Sequence, residues 1–295
     1  MGMSEEIELK LLVPEEPDIE VQDLPVLKPV QRRTYTLINR YFDTPEHSLT
    51  AAGIALRLRY REGQWLQTLK AKGTPTGGLH QRQEWEMAVA GEQLELDRFP
   101  ANALPADLDL ASLQPVFETN FERHEWQLHV GDADIELVWD QGQVLAGERR
   151  VPIAEIELEL KSGPPEVLFD LAIDLARVIP MLPSDISKAE RGFRMVSGQK
   201  DWPPTPRRKD DLDLWLRAVC RQLEALPASN GDLTASLQGL SRKAAEGKNQ
   251  LGIIQSATAG LAADTPVWHR LPDSKALGVW LIEQNRVVWT QSEAA

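Results

Sequence analysis

Glu6, Glu8 and Lys10 stand two residues apart, with Ile7 and Leu9 between them. The same order returns near the middle of the chain as Glu155, Glu157, Glu159 and Lys161, again alternating with apolar residues. Carboxylates at this density are hard oxygen donors, the chemistry that holds Mg2+ or Mn2+. Cations recur in the same way: Arg57, Arg59 and Arg61 in one run, then Thr68, Lys70 and Lys72 in the next. Guanidinium and ammonium groups suit phosphate oxygens. Both signs inside one interior need partners, because a buried charge without one is costly. A polyphosphate with its divalent cations would satisfy both.

The elements that could position these groups follow from their spacing. A β-strand sends alternate side chains to opposite faces, so each run puts its charges on one face and its apolar residues on the other. Strands are expected over 5–13, 34–42, 54–62, 64–72, 81–90, 116–130, 133–140 and 153–161. Glu62-Gly63 marks a hairpin and Asp140-Gln141-Gly142 a turn. Arg82, Glu84 and Glu86 share a face; so do Arg123, Glu125 and Gln127, and so do Asp134, Glu136 and Asp140. Apolar outer faces must be covered by helices, or they would form one large exposed patch. A helix over 166–178 carries such a stripe in Leu168, Leu171, Leu175 and Val178, and a short capped helix is expected from Ser184 to Arg191. The expected fold is therefore α+β: a closed eight-stranded antiparallel β-barrel covered by helices, its charged face lining a tunnel. Asp43 reads as structural, His124 and His129 as packing or surface residues, and Gly77-Gly78 as a hairpin tip or mobile loop. Trp65 and Trp85 are expected to pack on the outside.

Several short segments together carry a family resemblance. Glu6-x-Glu8-x-Lys10 looks like the signature of the CYTH superfamily, the triphosphate tunnel metalloenzymes. Further matching pieces are Tyr41-Phe42-Asp43-Thr44-Pro45, Leu56-Arg57-Leu58-Arg59, Thr68-Leu69-Lys70, the run from Glu155 to Lys161, and Ser187-Lys188-Ala189-Glu190-Arg191-Gly192. They lie in the family's order over roughly residues 3–197, most like the bacterial inorganic triphosphatases. The resemblance implies metal-dependent hydrolysis of inorganic triphosphate to pyrophosphate and phosphate. It implies substrate contacts from Arg57, Arg59, Lys70, Lys72, Arg123, Lys188 and Arg191, and catalytic roles for Lys10 and Glu8. It implies metal ligands among Glu6, Glu8, Glu86, Asp140, Glu157 and Glu159, with Mg2+ or Mn2+ as the ion and Glu155 nearer the mouth. Thiamine triphosphatase, nucleoside triphosphatase and class IV adenylate cyclase use the same scaffold, and Trp65 or Trp85 could stack on an organic group. A non-catalytic polyphosphate sensor and a purely structural charged barrel are the readings outside enzymology.

The rest of the sequence narrows the partners. The chain has 295 residues and a formal net charge of −13, which argues against nucleic acid or an anionic membrane. No apolar run approaches the ~18 residues of a membrane span, no secretory signal is visible, and Cys220 is the single cysteine, so a cytoplasmic location is expected. The expected partner is a small-molecule triphosphate, bound by a monomer or homodimer. The expected organisation is a tunnel domain over 1–200, a Pro-rich linker over 201–211 and a helical C-terminal region over 212–295. Related triphosphatases often carry a C-terminal CHAD domain rich in histidine and basic residues. This tail holds only His269 and is too short for that identity, so its role stays open.

Overall fold

The computed structural model describes residues 4–17, 19–71, 76–100, 102–198, 203–207, 210–244, 248–261 and 267–293. The alternating runs form strands: β1 (Ser4–Leu12), β2 (Arg33–Asp43), β3 (Ala55–Arg61), β4 (Gln64–Lys70), β5 (Leu79–Val89), β6 (Gln114–Val130), β7 (Ala133–Ala146), β8 (Arg149–Ser162) and β9 (Leu182–Pro183). Cross-strand pairing keeps the charges together. Glu8 lies opposite Glu159, Lys10 opposite Glu157, and Arg123 opposite Asp140.

The expected closed eight-stranded barrel is corrected by the pairing. One nine-stranded antiparallel sheet forms, in the order β5-β4-β3-β2-β6-β7-β8-β1-β9. The second edge of β1 is divided: Ser4–Leu9 meets Glu84–Leu79 of β5, and Leu11 and Leu12 meet Pro183 and Leu182 of β9. β5 in turn divides its length between β1 and β4, which it meets over Glu84–Val89. The physical reason is where β5 begins. Gly77 and Gly78, both with positive φ, turn the chain into Leu79 opposite Leu9, so β1 continues past the end of that partner and β9 takes over. The sheet curls around a cavity without being the regular closed barrel expected.

β7 runs past the turn expected at Asp140-Gln141-Gly142 to Ala146. Gly142 faces Phe121 of β6 in the ladder. A Cβ there would stand 2.2 Å from the Asn120 carbonyl oxygen and 2.5 Å from the Phe121 Cα. Glycine here permits close approach of two strands inside the sheet, not a turn.

The helices are α1 (Ser48–Ala51), α2 (Glu166–Ala176), α3 (Lys188–Ser197), α4 (Leu212–Glu224), α5 (Asn230–Lys243), α6 (Lys248–Gly260) and α7 (Ser274–Glu293). α2 buries Leu168, Phe169, Leu171 and Leu175 against Leu9, Leu11, Ile156 and Leu158 on the outer faces of β1 and β8. Each such side chain contributes about 1.5–3 kcal/mol of burial. α4 starts at an Asp211 cap that accepts from Leu214 N at 2.9 Å. Its Trp215, Leu216, Val219 and Leu223 form a second core with helices α5 to α7 and with Leu12 and Leu182 of the sheet. The C-terminal helices thus share apolar contacts with the strands. α3 begins at Lys188, four residues later than expected, capped by Ser187, whose Oγ accepts from Glu190 N at 3.1 Å.

Candidate active site

The inner face of the curled sheet encloses a cavity of about 1190 Å³. Glu6, Glu8 and Lys10 line it from β1, Arg57 and Arg59 from β3, and Lys70 from β4. Glu86 lines it from β5, Arg123 from β6, Glu157 and Glu159 from β8, and Lys188 from α3. The strand positions were expected from the alternation, and Lys188 from the resemblance. Lys72 falls outside the described residues. Asp140 and Arg191 are the departures: neither is on the cavity wall.

The charges divide into distinct groups. Lys188 Nζ lies 2.6 Å from Asp140, 2.5 Å from Glu155 and 3.0 Å from Glu157. Arg123 forks onto Asp140, with Nε and Nη2 each at 2.7 Å, and reaches Glu157 at 3.0 Å. Burial alone would raise the Glu157 carboxyl, but Lys188, Lys10 and Arg123 outweigh it and hold it well below the ordinary range. Glu155, expected near the mouth, is fully buried. The resemblance placed Asp140 and Glu157 with a metal. Asp140, Glu155 and Glu157 do bring oxygens within 4.8 Å of one another, and the Lys188 ammonium stands among them, with Arg123, Arg191 and Lys10 sharing their charge.

A second carboxylate group has the opposite character. The Glu159 carboxyl is raised, first by burial and then by Glu6 and Glu136, against the pull of Lys161. Lys161 lies 2.7 Å from Glu159 and 3.4 Å from Glu136, while Lys70 holds Glu6 at 3.1 Å. Lys10 lies deep between Glu8, at 3.3 Å, and Glu157, at 3.1 Å. Negative charge is in excess around Glu159, and the donors are hard oxygens. This end fits a divalent cation.

Across the cavity Arg57, Arg59 and Lys70 line the wall. Arg59 Nε donates to Asn39 Oδ1 at 2.6 Å. Asn39 is itself held by the carbonyl and hydroxyl oxygens of Thr119, each at 3.0 Å. Among the described residues Arg59 has no carboxylate at ion-pair distance. Burial, then Arg57 and Arg123, push its guanidinium down to about 10. Arg57 reaches Glu84 at 3.6 Å and Glu86 at 3.5 Å, yet its buried Nε has no hydrogen-bond partner. Burial would raise the Tyr41 phenol, but Arg57, Arg59 and Lys70 outweigh it and lower it. Arg59 is thus a buried cavity cation without a carboxylate of its own among the described residues, beside an Arg57 shared between two.

Alternation located the charges but missed their holders. Asn39, Tyr41 and Tyr35 belong to a run without repeated charge; their shared parity on β2 was the signal, and Tyr41 also opens one of the segments that carry the resemblance. Tyr35 Oη donates to Glu125 Oε2 at 2.5 Å. Asp185, Arg217 and Arg221, which also line the cavity, gave no signal beyond helix amphipathicity. Asp43 is structural as expected: its oxygens accept from Thr44 N, Leu49 N and Thr50 N at 2.8, 2.8 and 3.1 Å. His124 packs on Trp139, with ring centroids 5.1 Å apart. Trp65 and Trp85 lie on the outer face, Trp65 against Tyr60 at 5.0 Å.

Fold and site together define a pocket lined by groups of both charges, built on a curled antiparallel sheet. The CYTH domain family model matches residues 4–193, and this chain belongs to that family. An inorganic triphosphatase from Haemophilus influenzae is 35% identical over 208 residues, 68% of this chain. The chain spans 58% of that relative's length. A solved Hippeastrum protein, described as an assigned adenylyl cyclase with a dominant triphosphatase activity, is 20% identical over 67% of this chain and 98% of its own, with a TM-score of 0.49. A solved inorganic triphosphatase is 20% identical over 65% of this chain and 97% of its own, with a TM-score of 0.29. At scores this low the two structures carry no argument about this chain.

Proposed function

We propose that this chain hydrolyses inorganic triphosphate to pyrophosphate and phosphate. The observation that carries the proposal is Arg59, a cavity cation with no carboxylate at ion-pair distance among the described residues, set beside Arg57 and facing the carboxylate-rich wall of Glu6, Glu8 and Glu159 in one cavity. Membership of the CYTH family and the 35% identity to an inorganic triphosphatase support the choice of triphosphate among polyanions.

Arg57, Arg59 and Lys70 bind phosphoryl oxygens, Arg59 aimed by Asn39. Phosphoryl transfer spreads charge over the transferred oxygens, and preset cations lower its barrier. Lys188 and Arg123 face the same space and hold Glu157 ionised. Lys10, between Glu8 and Glu157, keeps both carboxylates apart and oriented. Glu6, Glu8 and Glu159, with Glu157 beside them, would hold Mg2+ or Mn2+. When bound, such an ion would offset triphosphate charge and make an attacking water more acidic. Glu86 is held by Thr68 Oγ1 at 2.9 Å and by Arg57, so it serves the cation wall.

The test is phosphate release from inorganic triphosphate with Mg2+, with Mn2+ and with chelator, using the full chain and its Glu8→Gln and Arg59→Ala variants. Metal-dependent turnover that is lost in both variants is expected. Tight triphosphate binding without phosphate release would replace hydrolysis with sensing. Cyclic AMP formed from ATP would replace it with cyclase chemistry.

A further inference from the structure

Arg191 has the residue type of a substrate contact but lies behind the cavity wall. Its Nε donates to Glu224 Oε1 at 3.2 Å, from the last turn of α4. Its Nη2 lies 2.8 Å from Glu155 Oε2, although neither atom has a partner in hydrogen-bond geometry. The other oxygen of Glu155 accepts from Lys188 Nζ at 2.5 Å, and Lys188 is on the cavity wall. A line of buried contacts therefore runs from the C-terminal helices through Arg191 and Glu155 to a cavity cation.

A second tie joins the same elements. Asp185, just before α3, accepts from Arg217 Nε at 2.9 Å and from Arg221 Nε and Nη2 at 2.7 and 2.8 Å, both on α4. Ser184 Oγ donates to Glu224 Oε2 at 3.2 Å. α4 is itself anchored by Trp215, Leu216, Val219 and Leu223 in the second core. Charge-assisted contacts on a rigid helix fix the orientation of the groups they hold.

We propose that Glu224 is a positioning residue: it orients Arg191, which holds Glu155 and through it Lys188, so the C-terminal helices complete the cavity wall. The part of this inference that concerns turnover rests on the triphosphatase reading. Glu224 is the choice because it supplies the hydrogen bond that gives Arg191 its direction. Glu155 lacks that geometry, so a guanidinium released by Glu224 would swing onto it and compete with Lys188.

The experiment compares wild type, Glu224→Gln, Glu224→Ala, Arg191→Ala and the Glu224→Ala/Arg191→Ala double variant, all as full chains. Two readouts are taken: steady-state kinetics with inorganic triphosphate, and the 15N–1H signal of the Arg191 Nε–H in the ligand-free protein. In Glu224→Ala, KM is expected to rise about 3- to 10-fold with a smaller change in kcat, the size of one ordinary hydrogen bond, and Glu224→Gln, which keeps an accepting oxygen, should recover part of it. The double variant should be no worse than Arg191→Ala, because contacting residues couple. The Arg191 Nε–H should be shifted and protected from exchange in wild type and lose that protection in Glu224→Ala. Unchanged KM, effects that multiply in the double variant, or retained protection in Glu224→Ala would each overturn the proposal. If wild type releases no phosphate, the triphosphatase reading falls, and the Nε–H signal still decides whether Glu224 positions Arg191.

Discussion

Arg59 and Lys188 are both cavity cations, and their surroundings predict different failures. Arg59 has no carboxylate at ion-pair distance among the described residues, so removing it leaves no buried anion stranded. Arg59→Ala should fold normally and lose about 100-fold in kcat/KM for triphosphate. Arg59→Lys should recover only part, because an ammonium cannot keep the Asn39 contact and bind bidentately. Lys188 pairs with Asp140, Glu155 and Glu157 at once. Lys188→Met should cost about 3–5 kcal/mol in denaturant unfolding, the usual penalty for stranding buried charge. Normal stability in that variant would show that the three carboxylates take up protons at little cost. Glu159 carries the opposite sign. Its carboxyl is raised by burial and by Glu6 and Glu136, so ionised Glu159 opposes folding as pH rises through its folded value. Glu159→Gln should raise the Tm of the metal-free protein at pH 7 while weakening its response to Mg2+. A lower Tm would remove the argument that negative charge is in excess at that end.

At the scale of elements, the register of β7 against β6 and β8 brings Asp140 beside Arg123 and Glu155. That register depends on Gly142. Gly142→Ala would place a Cβ against Asn120 and Phe121 backbone, where neither neighbour can yield easily. It should destabilise by about 1–3 kcal/mol and reduce turnover by shifting Asp140, even though Gly142 touches no charge. Wild-type melting with reduced activity would mean that the strand shifts without strain. The hairpin end between β4 and β5 is constrained similarly. Gly77 N donates to Asp213 Oδ1 at 3.3 Å, and a Cβ on Gly77 would lie 2.4 Å from the Asn285 carbonyl oxygen. The pair, expected as a hairpin tip or a mobile loop, lies at the hairpin end and is packed against α4 and α7.

The whole molecule is an acidic protein built around a cavity of paired charges. Burial opposes ionisation of Glu157 and Asp185, but Lys188, Lys10 and Arg123 in one case, and Arg221 and Arg217 in the other, outweigh it and depress both carboxyls. A depressed carboxyl contributes stability that is fully present above its unfolded value, about 4, and lost as pH falls through the folded value. The denaturant midpoint should therefore hold from pH 7 to about 5 and fall steeply below about 4. A flat profile to pH 3 would count against these pairs as a source of stability. No helix among the described residues is long and apolar enough to cross a membrane.

The two-residue alternation in β1, β3, β4, β6 and β8 determined from sequence alone which side chains face inward, because strand geometry ties parity to face. Parity has no depth and no partner. It could not tell that Arg191 lies behind the wall and Lys188 on it, since both occupy one face of α3. Nor could it tell that Asp140 pairs with cations, or that β1 divides its edge between β5 and β9. Those facts come from segments far apart in the chain, and only folding sets their distance. The clearest case is Glu224. In the sequence it is the last residue of an amphipathic helix, and in the structure it accepts from Arg191, because apolar packing of α4 on the sheet brings the two together.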